Sequence, residues 1–328
     1  MATYNQSLRT LYVMQYLLRY TDEEHHCSRD DLIAYLAKKE IEVGRKSIYA
    51  DIDTLGPDCC GLDLQEKNGE YWLASHDFDL REVQLLADMI QASNFIGPGN
   101  SKKLIGKLQH LVSEPQSRQV VRNIRVFKHV KSSNEGSLNS IERISQAIGE
   151  DRALHFRYFK YDVYKKKFYH HGGKLYTVSP FALIWGDGNY YLLAWDHESQ
   201  QLRHYRIDRM EHLAIDSGLP RQGKEAYRKI DMSSYPAKVF HMFRGEEVTV
   251  RLRFREDLAD AVLDRFGDDV IPVPEGDGTF TVTVPVLKSP QFYGWLAGFG
   301  DGVEILSPEY VRQEMREHLE KILKKYEA

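Results

Sequence analysis

The sequence predicts an α+β multidomain chain, and three observations carry that expectation. Its 328 residues exceed one ordinary domain and suggest two or three. Apolar residues recur with a helical period through about residue 113. From about residue 152 short strand-like runs separated by turns take over, and after residue 247 strands and helices alternate in the order βαββαβα.

The first expected helix covers residues 5–20, with Leu8, Leu11, Met14 and Leu18 close to one face. Ser28 then stands as N-cap of a second helix, with Asp31 three residues on in a capping-box arrangement and Leu32, Ile33 and Leu36 as the buried stripe. Glu40 and Glu42 occupy the turn that follows. The third helix is VGRKSIYADIDTL, with Gly44 at the N-cap and Ile48, Ile52 and Leu55 facing inward. Its outward face carries Arg45, Lys46, Ser47 and Tyr49 in the first turn and a half. A recognition helix meets base edges with its N-terminal residues, so these types stand in a place suited to duplex DNA; the competing reading is a surface helix with ordinary solvated charges. Asp51 and Asp53 either point away from DNA or brace the preceding helix.

Residues 61–73 read as strand, turn, strand around Asn68-Gly69, a strong hairpin signal. With Lys67 near its tip, this hairpin after three helices marks a winged helix and not a generic bundle. Two helices follow at 79–96, with Leu80, Val83, Leu86, Ala87 and Ile90 apolar, and at 101–113, with Leu104, Leu108 and Leu111. The run Ile96-Gly97-Pro98-Gly99-Asn100 breaks between them. A helical segment of this kind supports a homodimer, whose symmetry matches palindromic half-sites, or simply packs within the chain. A polar, flexible stretch from Lys131 to Gly136 leads to a helix at 138–149.

Strands are expected at about 152–160, 174–184, 189–195, 202–207 and 211–216, forming a small, strongly bent sheet or barrel. The loop Tyr161 to Gly173 is rich in Lys and His and shows no pattern, as a mobile or ligand-ordered segment would. At the centre lies WGDGNYYLLAWDHESQQLRHYRIDRM, residues 185–210. Its Gly186-Asp187-Gly188-Asn189 run supplies a turn, and alternation puts His204 and Arg206 on one face of a strand and Tyr205 and Ile207 on the other. An imidazole and the guanidiniums of Arg206 and Arg209 thus gather beside aromatic rings, chemistry suited to an anion or a nucleobase. In the C-terminal part, Ser289-Pro290 and Ser307-Pro308 both read as helix starts with Ser as N-cap and Pro at the first helical position.

YYLLAWD followed by RHYRIDRM resembles the core of the WYL domain, the ligand-sensing module of many bacterial transcription regulators, with Tyr190-Tyr191-Leu192 where the family usually has Trp-Tyr-Leu. IYADIDTL resembles the recognition helix of the same regulators, with Ala50 where an arginine is common, and the C-terminal alternation resembles their WCX extension. The resemblance implies a winged helix-turn-helix at 1–75, a helical linker at 76–137, an Sm-like β-barrel at 138–219 and a βαββαβα WCX sandwich at 233–328. It implies a ligand-responsive regulator that binds operator DNA and senses a nucleic-acid fragment or nucleotide. The expected ligand site combines Tyr158, Ser179, His204, Arg206 and Arg209, with Tyr190 and Tyr191 nearby. Arg binds phosphate at two points and Tyr stacks on a base. The competing reading pairs Arg206 and Arg209 with Asp208 or Asp196 to hold the barrel.

Composition sets limits on this. Net charge is −4, but residues 1–75 hold eight Lys+Arg against thirteen Asp+Glu, a net of −5. Phosphate contacts supply most nonspecific DNA affinity, so an acidic head predicts weak nonspecific binding and leaves open an RNA- or protein-binding accessory module that has lost duplex binding. The absence of a signal-peptide pattern and of any long apolar run points to the cytoplasm and away from membranes. Cys27, Cys59 and Cys60 form no disulfide framework. Together with His25 and His26 they lack zinc-ligand spacing, and His170-His171 are adjacent. No Walker loop or nucleophile elbow occurs, and Gly294 and Gly298 to Gly302 lack the context of a dinucleotide motif, so neither an enzyme nor a cofactor is expected.

Overall fold

The computed structural model describes residues 2–120, 131, 134, 136–186, 188–232, 235–240 and 245–327. The chain divides into two units, Met1–Glu135 and Gly136–Ala328. Both mix helices with antiparallel sheet. Residues 132, 133 and 135 of the expected polar stretch fall outside the described residues, as does Asp187 of the expected turn.

The first unit opens with α1 (Ala2–Tyr20), the short β1 (Cys27–Ser28), α2 (Arg29–Ala37) and α3 (Arg45–Leu55), followed by β2 (Leu64–Lys67) and β3 (Glu70–Leu73). The strands form a sheet in the order β1-β3-β2. Ser28 caps α2 with Asp31 completing the box, which satisfies backbone donors at the helix start. Between β2 and β3, Asn68 (φ 57°) and Gly69 (φ 84°) both adopt the left-handed region that a two-residue hairpin turn requires.

The core of this unit joins Val13 and Leu17 of α1 to Leu32, Leu36, Ile48, Ile52, Leu55, Tyr71 and Leu73. The stripe expected to be buried on α1 is therefore displaced. Val13 and Leu17 carry the packing on α2 and α3, while Leu8, Leu11, Met14 and Leu18 line a groove of about 730 Å³ shared with Gly106, Gln109 and Val112. Two apolar stripes share this helix, and periodicity alone does not rank them.

The remainder of the first unit is helical: α4 (Leu80–Ala92), α5 (Pro98–Leu108) and α6 (Glu114–Ser117). Pro98 begins α5 instead of breaking between helices, because a proline costs no hydrogen bond at the first helical position. Lys131 Nζ donates to the carbonyls of Ile90 and Ile96 and to Ser101 Oγ, tying the end of α4 to the start of α5.

The second unit begins with α7 (Ser137–Gly149) and a six-stranded sheet: β4 (Arg152–Tyr161), β5 (Lys167–Tyr169), β6 (Leu175–Gly186), β7 (Asn189–Asp196), β8 (Gln201–Arg206) and β9 (Met210–Pro220). Strand order is β5-β4-β6-β7-β8, with β9 also pairing with β4. The sheet path thus runs from β9 through β4, β6 and β7 to β8, yet β8 and β9 are joined by only the 3-10 turn Ile207–Arg209. Three residues span little more than 10 Å, so the sheet must curl until its two ends meet. The patternless loop expected over 161–173 is instead a second hairpin, with β5 paired to the end of β4.

Two short helices, α8 (Lys224–Arg228) and α9 (Tyr235–Lys238), lead to the C-terminal elements. These are β10 (Glu247–Arg255), α10 (Ala259–Phe266), β11 (Val273–Pro274), β12 (Thr279–Leu287), α11 (Pro290–Ala297), β13 (Val303–Ser307) and α12 (Glu309–Leu323). The sheet order is β11-β12-β10-β13. Val248, Val250, Leu252 and Phe254 alternate inward along β10 and meet Phe292, Leu296 and Val311 of the helices. Ser289 caps α11 as expected, but Ser307 closes β13 and Pro308 itself occupies the N-cap of α12.

Candidate nucleic-acid and ligand sites

In α3, Ile48, Ile52 and Leu55 are buried, so rotation about the helix axis leaves Arg45, Lys46 and Tyr49 exposed at its N-terminal end and Ser47 half-buried. Arg45 lies 3.5 Å from Asp30 of α2, both well exposed, a contact too solvated to immobilise the guanidinium. The Tyr49 hydroxyl accepts from Arg29 Nη1, and the Arg29 guanidinium lies 4.8 Å from the Tyr49 ring centroid. Asp51 is turned inward: Oδ1 accepts from Thr10 Oγ1 at 2.6 Å and from Arg9 Nη2 at 3.0 Å, and Oδ2 from Arg9 Nε at 2.5 Å. It braces α3 on α1. Lys67 is exposed at the last position before the turn of the β2–β3 hairpin.

In the second unit, the sheet register sorts the central residues onto two faces. Tyr191 pairs with Arg206 and Leu193 with His204, so these four share one side. That side is covered by the chain's own connection: Tyr227, Ile230, Met232 and Tyr235 pack against Ile184, Tyr191 and Leu193. The His204 ring lies 5.7 Å from that of Tyr235. At the start of the connection Tyr227 stacks on Phe181 at 4.7 Å, and Arg221 and Lys224 both reach Asp151.

The other side holds Phe156, Tyr158, Tyr176 and Tyr205, whose rings lie within 6.2 Å of one another. Tyr205 donates to the buried Asp196, which also accepts from the backbone N–H groups of Glu198 and Ser199. Burial alone would raise the Asp196 carboxyl, but these hydrogen bonds outweigh it and hold it below its ordinary value. The Tyr158 hydroxyl accepts from the Arg206 backbone N–H at 3.1 Å, at the seam where β8 passes into β9. Burial pushes Tyr158 up, opposed by that hydrogen bond and by the charge of Arg209.

Residues 139–215 match the WYL domain, and residues 246–323 match the WCX domain. The chain carries a WYL domain followed by a WCX domain. It is 23% identical over 309 residues to the uncharacterized HTH-type transcriptional regulator YobV of Bacillus subtilis (strain 168), covering 88% of this chain and 91% of that protein. Among solved structures it is similar to proteasome accessory factor B/C (PafBC) of Arthrobacter aurescens, at 21% identity and a TM-score of 0.28 over 98% of this chain. The chain spans about half of that protein, 49% of its length. A CRISPR Cas-related protein is similar at 13% identity and a TM-score of 0.37, over 90% of this chain and 77% of that one.

Within the WYL domain the expected ligand set is divided, with Tyr191, His204 and Arg206 on the covered side of the sheet and Tyr158 on the other. Ser179 is fully buried, shares a hydrogen bond with His197 Nε2 at 2.8 Å and accepts from the Gln222 N–H, so its hydroxyl is used in joining the connection to the sheet. Tyr191 is buried and His204 lies under Tyr235, because the segment after β9 folds back over that face. Arg206 donates to both carboxylate oxygens of Asp208, at 3.1 and 2.9 Å, and to Asn189 Oδ1 at 2.7 Å, which is the structural alternative expected for it. Burial works against its charge and the Asp208 bond more than offsets it, so its pKa is raised.

Tyr190 stands apart against Trp185, ring centroids 4.7 Å apart. Tyr158 and Arg209 remain near one another at the seam, and Arg209 makes no hydrogen bond or ion pair among the described residues. Sequence reasoning missed Arg29, Tyr176 and Arg203. Arg203, 3.6 Å from Asp196, could have been found from the alternation along β8, two residues before Tyr205; Tyr176, on β6, comes close only through the folding of the sheet. Among the described residues no cluster of three or more His, Cys, Asp or Glu is arranged to hold a metal ion, and no helix is long and apolar enough to cross a membrane.

Proposed function

We propose that this WYL-domain protein is a non-enzymatic transcription regulator that reads duplex operator DNA with its N-terminal unit and responds to an anionic ligand, a nucleic-acid fragment or nucleotide, through its WYL domain. One observation carries the reading: Arg45, Lys46 and Tyr49 are exposed in the first turn and a half of a helix whose other face is fully buried. That helix and the hairpin behind it, with Lys67 at its tip, act as the recognition helix and wing of a winged helix-turn-helix. Ser47 sits beside them, and Arg29 joins through Tyr49. The HTH-type name of the Bacillus relative supports the same reading. The active form is a homodimer, whose two heads engage half-sites of a palindrome.

On the sensor side, the curled sheet acts as an Sm-like barrel and Arg209 with Tyr158 forms the anion-binding end of the site. Ligand control requires that the DNA-competent and incompetent states differ in ligand affinity. A gel shift on the protein's own promoter tests the proposal; no specific shift at any salt concentration would remove it. The net charge of −5 over residues 1–75 favours a second reading, an RNA- or protein-binding accessory module. Fluorescence polarisation with duplex DNA against RNA and partner proteins separates the two.

A further inference from the structure

The β4–β5 hairpin of the second unit carries a cluster of exposed apolar and cationic side chains. Val163 and Tyr164 at its tip are 90% and 79% exposed, and Tyr161, Phe168 and Leu175 are also exposed. Interleaved with them are Lys160, Lys165 and Lys166, all exposed, whose side chains make no hydrogen bond or ion pair among the described residues. Residues 160–175 hold five lysines against one carboxylate, Asp162, in a chain whose net charge is −4. Single exposed hydrophobics need no explanation, but four within one hairpin among unpaired cations, with Leu175 of β6 beside them, do.

The turn itself does not draw on the side chains of Val163, Tyr164, Lys165 or Lys166. The turn is held by its own backbone and by Asp162: Oδ1 accepts from the N–H groups of Tyr164 and Lys166, while the Asp162 and Lys165 N–H groups bond to the carbonyls of Lys166 and Asp162. One face of the hairpin is tied to β9, where Glu211 accepts from Lys167 Nζ at 2.7 Å and from the Tyr169 hydroxyl at 2.5 Å. The opposite face carries Lys160 directly across from Phe168. Alternation along β4 places Tyr158 on that same face, so the stripe Phe168, Lys160, Tyr158 leads from the hairpin towards the seam where Arg209 lies.

We propose that the β4–β5 hairpin is a docking platform for a single strand of nucleic acid, with Tyr164 and Phe168 stacking on bases and Lys160, Lys165 and Lys166 following the phosphates. The strand must be single because bases in a duplex present no free ring face. The platform rests on the reading of the WYL domain as a nucleic-acid sensor and extends that site outward from Tyr158 and Arg209.

The test uses the full chain, a fluorescein-labelled oligothymidylate and vesicles containing phosphatidylserine. Tyr164→Ala weakens oligothymidylate binding by about ten-fold, in the range of one lost stacking contact. Lys160→Gln with Lys166→Gln makes the slope of log affinity against log salt shallower by about 1.4, at about 0.7 per phosphate contact. Operator affinity and thermal midpoint stay at wild-type values in both variants. Hairpin variants that bind like wild type while Arg209→Ala abolishes binding overturn the platform and leave the sensor reading intact. Loss in the hairpin variants with Arg209→Ala unaffected supports the platform and removes Arg209 from the site. Failure of the wild type to bind the strand overturns both, and hairpin-dependent binding to vesicles in its place assigns the surface to an anionic membrane.

Discussion

Arg206 grips Asp208 at two points, Nε to Oδ1 at 3.1 Å and Nη2 to Oδ2 at 2.9 Å, with Asp208 only 8% exposed. Removing the guanidinium takes this two-point contact from a nearly buried carboxylate. Arg206→Ala should therefore cost about 2 kcal/mol, less than a fully buried pair because a quarter of the arginine still meets solvent. Arg206→Lys restores little, since an ammonium cannot make the two-point contact. Urea denaturation of both variants checks this; a midpoint unchanged in Arg206→Ala would return Arg206 to the ligand.

Asp51 fastens α3 to α1 through Arg9 and Thr10, and its side chain is 3% exposed. Asp51→Ala strands the Arg9 charge and should destabilise the N-terminal unit by about 3 kcal/mol. The signature is a separate early transition in calorimetry, with the rest of the trace unmoved.

Gly69 holds φ 84° in the wing turn with nothing within 4 Å of an added Cβ, so the penalty for a side chain there is conformational and not steric crowding. Gly69→Ala should cost about 1 kcal/mol. It should lower operator affinity if the wing touches DNA. Lys46→Gln should make the salt slope of operator binding shallower by about 0.9 while leaving the thermal midpoint alone. A slope equal to wild type would place Lys46 off the phosphates.

Burial holds His197 below its ordinary pKa of 6.5, reinforced by His155 and opposed by Asp196. A base with a lowered folded-state pKa binds fewer protons folded than unfolded, so stability is fully present above pH 6.5 and declines as pH falls through the folded-state value. Thermal midpoints between about pH 7.5 and about pH 5 should show this decline, and His197→Gln should flatten it. The same fall in both proteins would assign it elsewhere.

Local chemistry was legible where it is self-contained. Asn68-Gly69 announces a hairpin because few residues tolerate positive φ, and Ser28 with Asp31 announces a helix start. The α3 stripe of Ile48, Ile52 and Leu55 is legible for the same reason. The face of α1 was not, because Leu8, Leu11, Met14 and Leu18 compete with Val13 and Leu17 and only the tertiary partners choose. In the ligand site, alternation along β8 correctly grouped His204 with Arg206 but could not say what covers them. The cover is Tyr227 to Tyr235, some twenty to thirty residues downstream and invisible to any local pattern. The β4–β5 hairpin escaped for the opposite reason: its charged and aromatic residues face water on both strands and leave no period to read.

The turn Ile207–Arg209 has a mechanical corollary. It is the clasp of a bracelet whose two free ends are the outermost strands, and Arg209 sits on the clasp itself. A change of backbone angle at any of these three residues therefore reaches β8 and β9 together.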